Sequence, residues 1–165
     1  STVDFNTWPT FSKTVLVLLM FVGASAGSTG GGIKVSRIVI LAKSVKKELK
    51  QYLHPHSVSK IKMDGKPVEH EVVRSINVFL IAYLLIYALS MLIVSLDNFD
   101  FTTTFTSVAA TINNIGPGLD LVGPAANFGI LSVPSKLVLI FDMLAGRLEL
   151  FPSLLLFAPD TWRKF

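Results

Sequence analysis

Three features of this 165-residue chain could carry chemistry: two glycine-rich turns, an arginine inside an apolar run, and 3 histidines. The first turn, GASAGSTGGGIK at 23–34, comes close to a phosphate-binding loop. In such a loop backbone N–H groups cradle the phosphates, and the Lys-Ser/Thr pair that follows reaches phosphate oxygens and magnesium. Here Ile33 separates the last glycine from Lys34, and Val35 stands where the hydroxyl should be. The preceding segment reads as a helix rather than a strand, so the match fails at the residues that carry the chemistry. His54, His56 and His70 lie in a chain without cysteine and without a clustered carboxylate, and they read as surface side chains rather than metal ligands. No Ser-His-Asp set or carboxylate pair has a cleft-forming spacing, and the chain reads as no enzyme. Arg147 sits in LVLIFDMLAGRLELFP. A charge at mid-membrane costs about 2.5–3.5 kcal/mol on insertion scales, so Arg147 should face a cavity or a partner. A buried pair with Asp142 or Glu149 is one option, although neither acid has the favourable i,i+3 or i,i+4 spacing.

The elements that must position these residues belong in a membrane. Hydrophobic residues make up 51% of the chain and charged residues 16%, against about 25% charged in a typical soluble domain. The mean hydropathy of +0.59 agrees. There is no initiator methionine and no secretory signal pattern, so Ser1 reads as a cut in a longer protein. Most of the Lys and Arg residues fall within 34–74, between apolar flanks. By the positive-inside bias that block is a cytoplasmic loop. Nucleic-acid binding is a poor fit, because no aromatic residues are interleaved with the basic ones.

Segment 75–96, SINVFLIAYLLIYALSMLIVSL, carries no charge and is long enough to span a bilayer. Tyr83 and Tyr87 fall well inside it and should face other helices. Asp97 and Asp100 follow on the outer side. Two further apolar segments, 14–22 and 101–114, are too short to span, and both run into glycine-rich turns. They read as re-entrant half-helices. Non-helical backbone at membrane depth is tolerated only where it is buried in protein or lines a water-filled path, and two such segments argue for a path. Residues 31–53 should form a long helix, amphipathic toward a basic end. A Gly/Pro-rich connection, 120–134, should lead to a final helix over 135–158. The half-helix, glycine turn and helix of the first part would then recur in the second, behind one added helix. In the basic loop, Asp64-Gly65 within VSKIKMDGKPV predicts a small solvated hairpin.

In that order, GASAGSTGGGIK, NNIGPGL and MLAGRLELFP, together with the LHP…DGKPV…EVVRS loop, closely resemble the Trk/Ktr superfamily of potassium transporters, and the TrkH type in particular. The resemblance covers essentially the whole chain. It implies an all-α integral membrane fold of helix-pore loop-helix repeats with re-entrant half-helices around a K+-channel-like pore. Family members have four such repeats. Residues 1–53 would be the third pore loop and its following helix, 54–74 the cytoplasmic loop with its hairpin, and 75–165 the complete fourth repeat.

The resemblance also implies a chemistry. A potassium ion sheds water and is recoordinated by backbone carbonyls, which glycine lets turn inward. Gly27 and Gly116 would be the filter glycines whose backbone holds K+, with Ala26, Ser28, Asn114, Ile115 and Pro117 beside them. The competing reading is that the glycines only permit close helix packing. Arg147 would lie below the filter and act on permeation or gating, a role given to Lys34 as well. Lys34 and Arg37 could pair with acids outside this chain or lie on the pore side. The implied ion is K+ as cargo, with no cofactor. The implied partners are the remaining repeats, a second copy in a homodimer, a cytosolic nucleotide-binding regulatory subunit and membrane lipid. The implied location is a bacterial or archaeal inner membrane, crossed several times. A different class of function, a non-conducting assembly module packed against a complete pore, fits the same composition. A membrane-associated nucleotide-binding protein is disfavoured by the failed phosphate-loop match.

Overall fold

The computed structural model describes residues 3–25, 28, 30–54, 61–63 and 65–147. They form five α-helices and one short hairpin: α1 Thr10–Phe21, α2 Val35–Leu53, β1 Lys62–Met63, β2 Lys66–Pro67, α3 His70–Val94, α4 Phe101–Ile112 and α5 Val133–Arg147. At about 1.5 Å per residue, α3 is about 37 Å long and exceeds the roughly 30 Å hydrocarbon core. With its short 3₁₀ extension to Asp97 it is the one helix among the described residues long and apolar enough to cross a membrane. It begins five residues before the expected 75, because Glu71 and Arg74 extend the first turns on the loop side. α1 and α4 have 12 residues each, about 18 Å, and cannot span. The hairpin forms where Asp64-Gly65 predicts it, with Lys62 opposite Pro67 and Met63 opposite Lys66. Gly65 takes a φ of 78°, as the tight turn requires.

The core is built around α4. Nine of its residues are buried, among them Thr103, Thr104, Thr106, Ser107 and Thr111. These hydroxyls fit an interior because several bond back to the helix itself. Thr106 donates to the Thr102 carbonyl at 2.7 Å, Ser107 to Thr104 at 2.9 Å and Thr111 to Ser107 at 2.9 Å. α3 and α5 enclose α4, with Phe79, Tyr83, Tyr87, Val94, Val108, Ile112 and Leu139 in the shared apolar cluster. Tyr83 and Tyr87 face neighbouring helices, as their depth in the apolar run suggests: Tyr87 donates to the Phe105 carbonyl at 3.0 Å.

The structure corrects three expectations. α2 starts at Val35 and not at Gly31, since residues 31–34 pair back onto 23–24: the Gly23 N–H donates to Ile33 at 2.8 Å and the Val35 N–H to Ala24 at 3.2 Å. The last helix starts at Val133, with Pro134 in its first turn where a missing N–H is harmless. Residues 148–158 of the expected helix lie outside the described residues.

The third correction concerns the internal repeat. α1 is the counterpart of α5, not of α4. Asp4 caps a 3₁₀ turn by accepting from the Asn6 N–H at 3.0 Å, and Asn127 does the same for Gly129 at 2.8 Å. The 3₁₀ turns Phe5–Thr7 and Phe128–Ile130 follow in identical register. Lys13 Nζ then reaches back to the Asn6 carbonyl at 3.4 Å, and Lys136 Nζ to the Gly129 carbonyl at 2.8 Å. Ser12-Lys13, Met20 and Gly23 recur at the same spacing as Ser135-Lys136, Met143 and Gly146. The first glycine turn therefore follows the copy of α5 and is not the copy of the turn after α4. Shortness and an adjoining glycine run do not distinguish the two kinds of short helix; the capping pattern in front of the helix does.

Candidate functional site

The turn at the end of α4 is the most distinctive backbone in the molecule. Asp100 opens the helix, its carboxylate accepting from the Thr103 N–H at 3.1 Å. Thr103, through its side chain first and its N–H after, holds the Asp100 carboxyl below its ordinary range. At the other end the chain leaves the helix through Asn113 and turns at Asn114, whose φ is 54°, and Gly116, whose φ is 109°. The Asn114 N–H still reaches Thr111 at 3.0 Å and the Ile115 N–H reaches Ala110 at 2.9 Å. Ile115 and Gly116 are exposed, and Pro117 is half-buried. A Cβ placed on Gly116 would meet nothing within 4 Å. Glycine is required there by the left-handed backbone and not by crowding.

The turn is held at both ends. Asn113 is buried, donates to the Ala109 carbonyl at 2.9 Å and accepts from the Tyr83 hydroxyl of α3 at 3.0 Å. Asn114 donates to the Met143 carbonyl of α5 at 3.1 Å. On the far side Thr106 Oγ1 accepts from the Leu119 N–H at 2.9 Å, and the Gly118 N–H bonds the Val122 carbonyl at 2.8 Å. The first glycine turn packs against the same asparagines. A Cβ on Gly31 would lie 2.6 Å from Asn114 Nδ2, and one on Gly32, whose φ is 80°, would run into Asn113 Oδ1. Gly146 lets α5 approach the Ile112 carbonyl. These three glycines do serve close packing, the competing reading raised for the filter glycines.

Beside Gly32, Tyr83 and Gly146 lies a cavity of about 310 Å³, lined also by Ser28, Lys34, Arg37, Phe79 and Arg147 among others. Three cationic side chains thus converge from the first glycine run, the start of α2 and the end of α5. Arg37 also stacks on Phe79, its guanidinium 3.9 Å from the ring centre. Asp142 is fully buried and accepts from the Ser90 hydroxyl at 2.8 Å, while its second oxygen has no hydrogen-bond partner among the described residues. It is not the partner of Arg147, which is exposed to the cavity side. Glu149 lies outside the described residues.

Of the residues picked from sequence, the structure brings Ser28, Lys34 and Arg147 together on the cavity and places Asn114, Ile115, Gly116 and Pro117 in the turn. Ala26 and Gly27 lie outside the described residues. Sequence reasoning missed Asn113, Tyr83, Gly31, Gly32 and Gly146 as parts of the site. A glycine inside an otherwise helical pattern, as Gly146 is, was the one available signal for a close approach.

Comparison with known proteins gives a consistent picture. The family described as TrkH, cation transport protein, matches residues 1–164. The Trk system potassium uptake protein TrkH of Salmonella typhimurium is 42% identical over 157 residues, covering 95% of this chain and 32% of that protein. The protein of the same name from Vibrio parahaemolyticus is 42% identical over 163 residues, 99% of this chain and 33% of that protein. The crystal structure of the potassium transporter TrkH from Vibrio parahaemolyticus superposes with a TM-score of 0.85, over 99% of this chain and 34% of the crystallised one. The chain spans about a third of the length of these relatives.

Proposed function

The chain belongs to the TrkH family of cation transport proteins, a family of the membrane, and from that premise we propose that it supplies part of the permeation path for potassium uptake. The observation that carries the proposal is the turn 114–117: open, left-handed at Gly116, and seated at the C-terminal end of a buried half-helix. A helix C-terminus presents about half a negative charge, which favours a cation there. Backbone oxygens of Asn114, Ile115, Gly116 and Pro117 take over from the ion's water. The relatives' names as potassium uptake proteins support K+ as the cargo.

Beneath the turn, Arg147 and Lys34 set the electrostatics of the cavity, repelling cations and slowing or gating their passage. Gly27 is not carried into this reading as a filter glycine, because α1 matches α5 rather than α4. The rest of the path comes from repeats outside this chain. The assembly is a homodimer regulated by a cytosolic nucleotide-binding subunit, as the family resemblance implies. The basic stretch 34–74 faces the cytoplasm, the turn 97–100 faces outside, and the protein crosses a bacterial or archaeal inner membrane several times.

Gly116→Ser in the full-length protein tests the central claim. It should relax selectivity from K+ toward Na+ and weaken potassium-dependent growth rescue, with membrane insertion intact. Parental K+ and Na+ uptake in that variant would overturn the filter role.

A further inference from the structure

The outer end of the 114–118 turn is gripped by a side chain from the other copy of the repeat. The Asn6 side-chain N–H donates to the Asp120 carbonyl at 3.1 Å, and the Asp120 N–H donates to Asn6 Oδ1 at 2.8 Å. One amide thus holds both backbone groups of a single residue four positions after Gly116. The gripped residue has a φ of 58°, a left-handed conformation that an aspartate adopts at a cost. The approach is close: a Cβ on Gly123 would run into Asn6 Nδ2 and lie 2.9 Å from the Asp120 carbonyl oxygen. Asn6 is itself held, through its carbonyl, by Lys13 Nζ at 3.4 Å. Its counterpart in the second copy is Gly129, which has no side chain and can grip nothing.

We propose that Asn6 is a positioning residue for cation selectivity, a clamp by which the segment before α1 sets the outer end of the filter turn in the following repeat. The inference rests on the reading of 114–117 as filter. It adds a coupling between two repeats through one side-chain amide and the main chain of one residue. The turn is otherwise anchored at its inner end by Asn113 and Asn114 and along α4 by Thr106. Asn6 adds a second hold on the outer end beside Thr106, and without it the carbonyls that fit one ion size would be held to it less firmly.

The test uses the full-length protein in liposomes, with K+ and Na+ fluxes measured separately and with abundance and thermal stability recorded. Asn6→Ala should lower the K+ over Na+ flux ratio by about threefold to tenfold, the factor equivalent to one net hydrogen bond. Asn6→Asp keeps the acceptor for the Asp120 N–H and loses the donor, and should fall between. Asp120→Gly keeps both backbone groups and the left-handed φ, so its ratio should match the parent within twofold. A merely structural clamp would change stability without moving the ratio. An unchanged ratio in folded Asn6→Ala, or in folded Asn6→Asp if the alanine variant is lost from the membrane, overturns the inference. So does a ratio that falls in Asp120→Gly as far as in Asn6→Ala, since the carboxylate would then be the active group. If Gly116→Ser shifts the ratio and Asn6→Ala does not, the clamp alone fails. If neither shifts it, the filter reading fails with it.

Discussion

The two glycine turns look alike in sequence and use glycine for different reasons. The described residues of the first, 23–25, 28 and 30–34, are closely packed. Its neck is pinned by Gly23 to Ile33 and by Val35 to Ala24, and Gly31 and Gly32 press on Asn114 and Asn113. The second, 113–118, is open at its tip, where Gly116 has a φ of 109° and no neighbour within 4 Å of a Cβ. A glycine required for contact and a glycine required for conformation respond differently to substitution, and the contrast can be put to work as a set of tests.

The largest effect is expected at the crowded glycines. Gly32→Ala must fit a methyl against Asn113 at a φ of 80°, and Gly146→Ala must move α5 away from the Ile112 carbonyl. Each should cost about 3 kcal/mol or more, from overpacking and, at Gly32, backbone strain. The measurement is the yield and thermal stability of purified full-length protein. Gly116→Ala in the same assay should lose less stability than either, since it carries strain without a clash; an equal loss would erase the distinction between the turns.

Next comes the cavity that the first turn and α5 share. A unit charge about 7 Å from a potassium ion, at an effective dielectric of about 20, contributes roughly 2–3 kcal/mol. Arg147→Gln should therefore raise cation flux in liposomes more than tenfold with the protein intact. A fall in stability of roughly 3–5 kcal/mol instead would reveal a structural ion pair with an acid beyond the described residues, the other expectation for this arginine.

A smaller effect tests the inner anchor. Tyr83→Phe removes the hydroxyl that donates to Asn113 Oδ1 at 3.0 Å and should destabilise the protein by about 1 kcal/mol. Because Asn113 also meets Gly32, the loss should be non-additive with Gly32→Ala in a double-mutant cycle. Strict additivity would mean that the two turns are not coupled through Asn113.

The smallest effect concerns the start of α4. The Asp100 carboxyl is held below its ordinary value of 3.8, chiefly by the Thr103 side chain. A lowered folded-state pKa gives stability that is present above the ordinary carboxylate range and is lost as pH falls through the folded value. Thermal stability of the parent should decline in that acid range by a few degrees more than that of Asp100→Asn, which caps the helix without titrating. Equal declines would show that the cap contributes nothing to acid sensitivity.

The sequence by itself determined whatever depends on consecutive residues. The uncharged run at 75–96 gave α3, the Asp64-Gly65 pair gave the hairpin, and the position of Gly116 after a short polar helix gave the turn. Hydropathy over a span and the φ preference of glycine are local properties, and they survive without knowledge of the rest of the chain. The charge of Arg147 inside an apolar run likewise marked it before any contact was known. The folded backbone decided which elements correspond. Asp4 with Asn127, and Lys13 with Lys136, became visible as copies through their shared hydrogen bonds, and those bonds overrode a match based on helix length. It also decided that Asp142 turns to Ser90 rather than to Arg147, and that Lys34 and Arg147 share one cavity. Asn6 and Asp120, 114 positions apart, meet for the same reason: helices with apolar faces on several sides can pack in more than one order, and the order is chosen by contacts that no stretch of sequence contains.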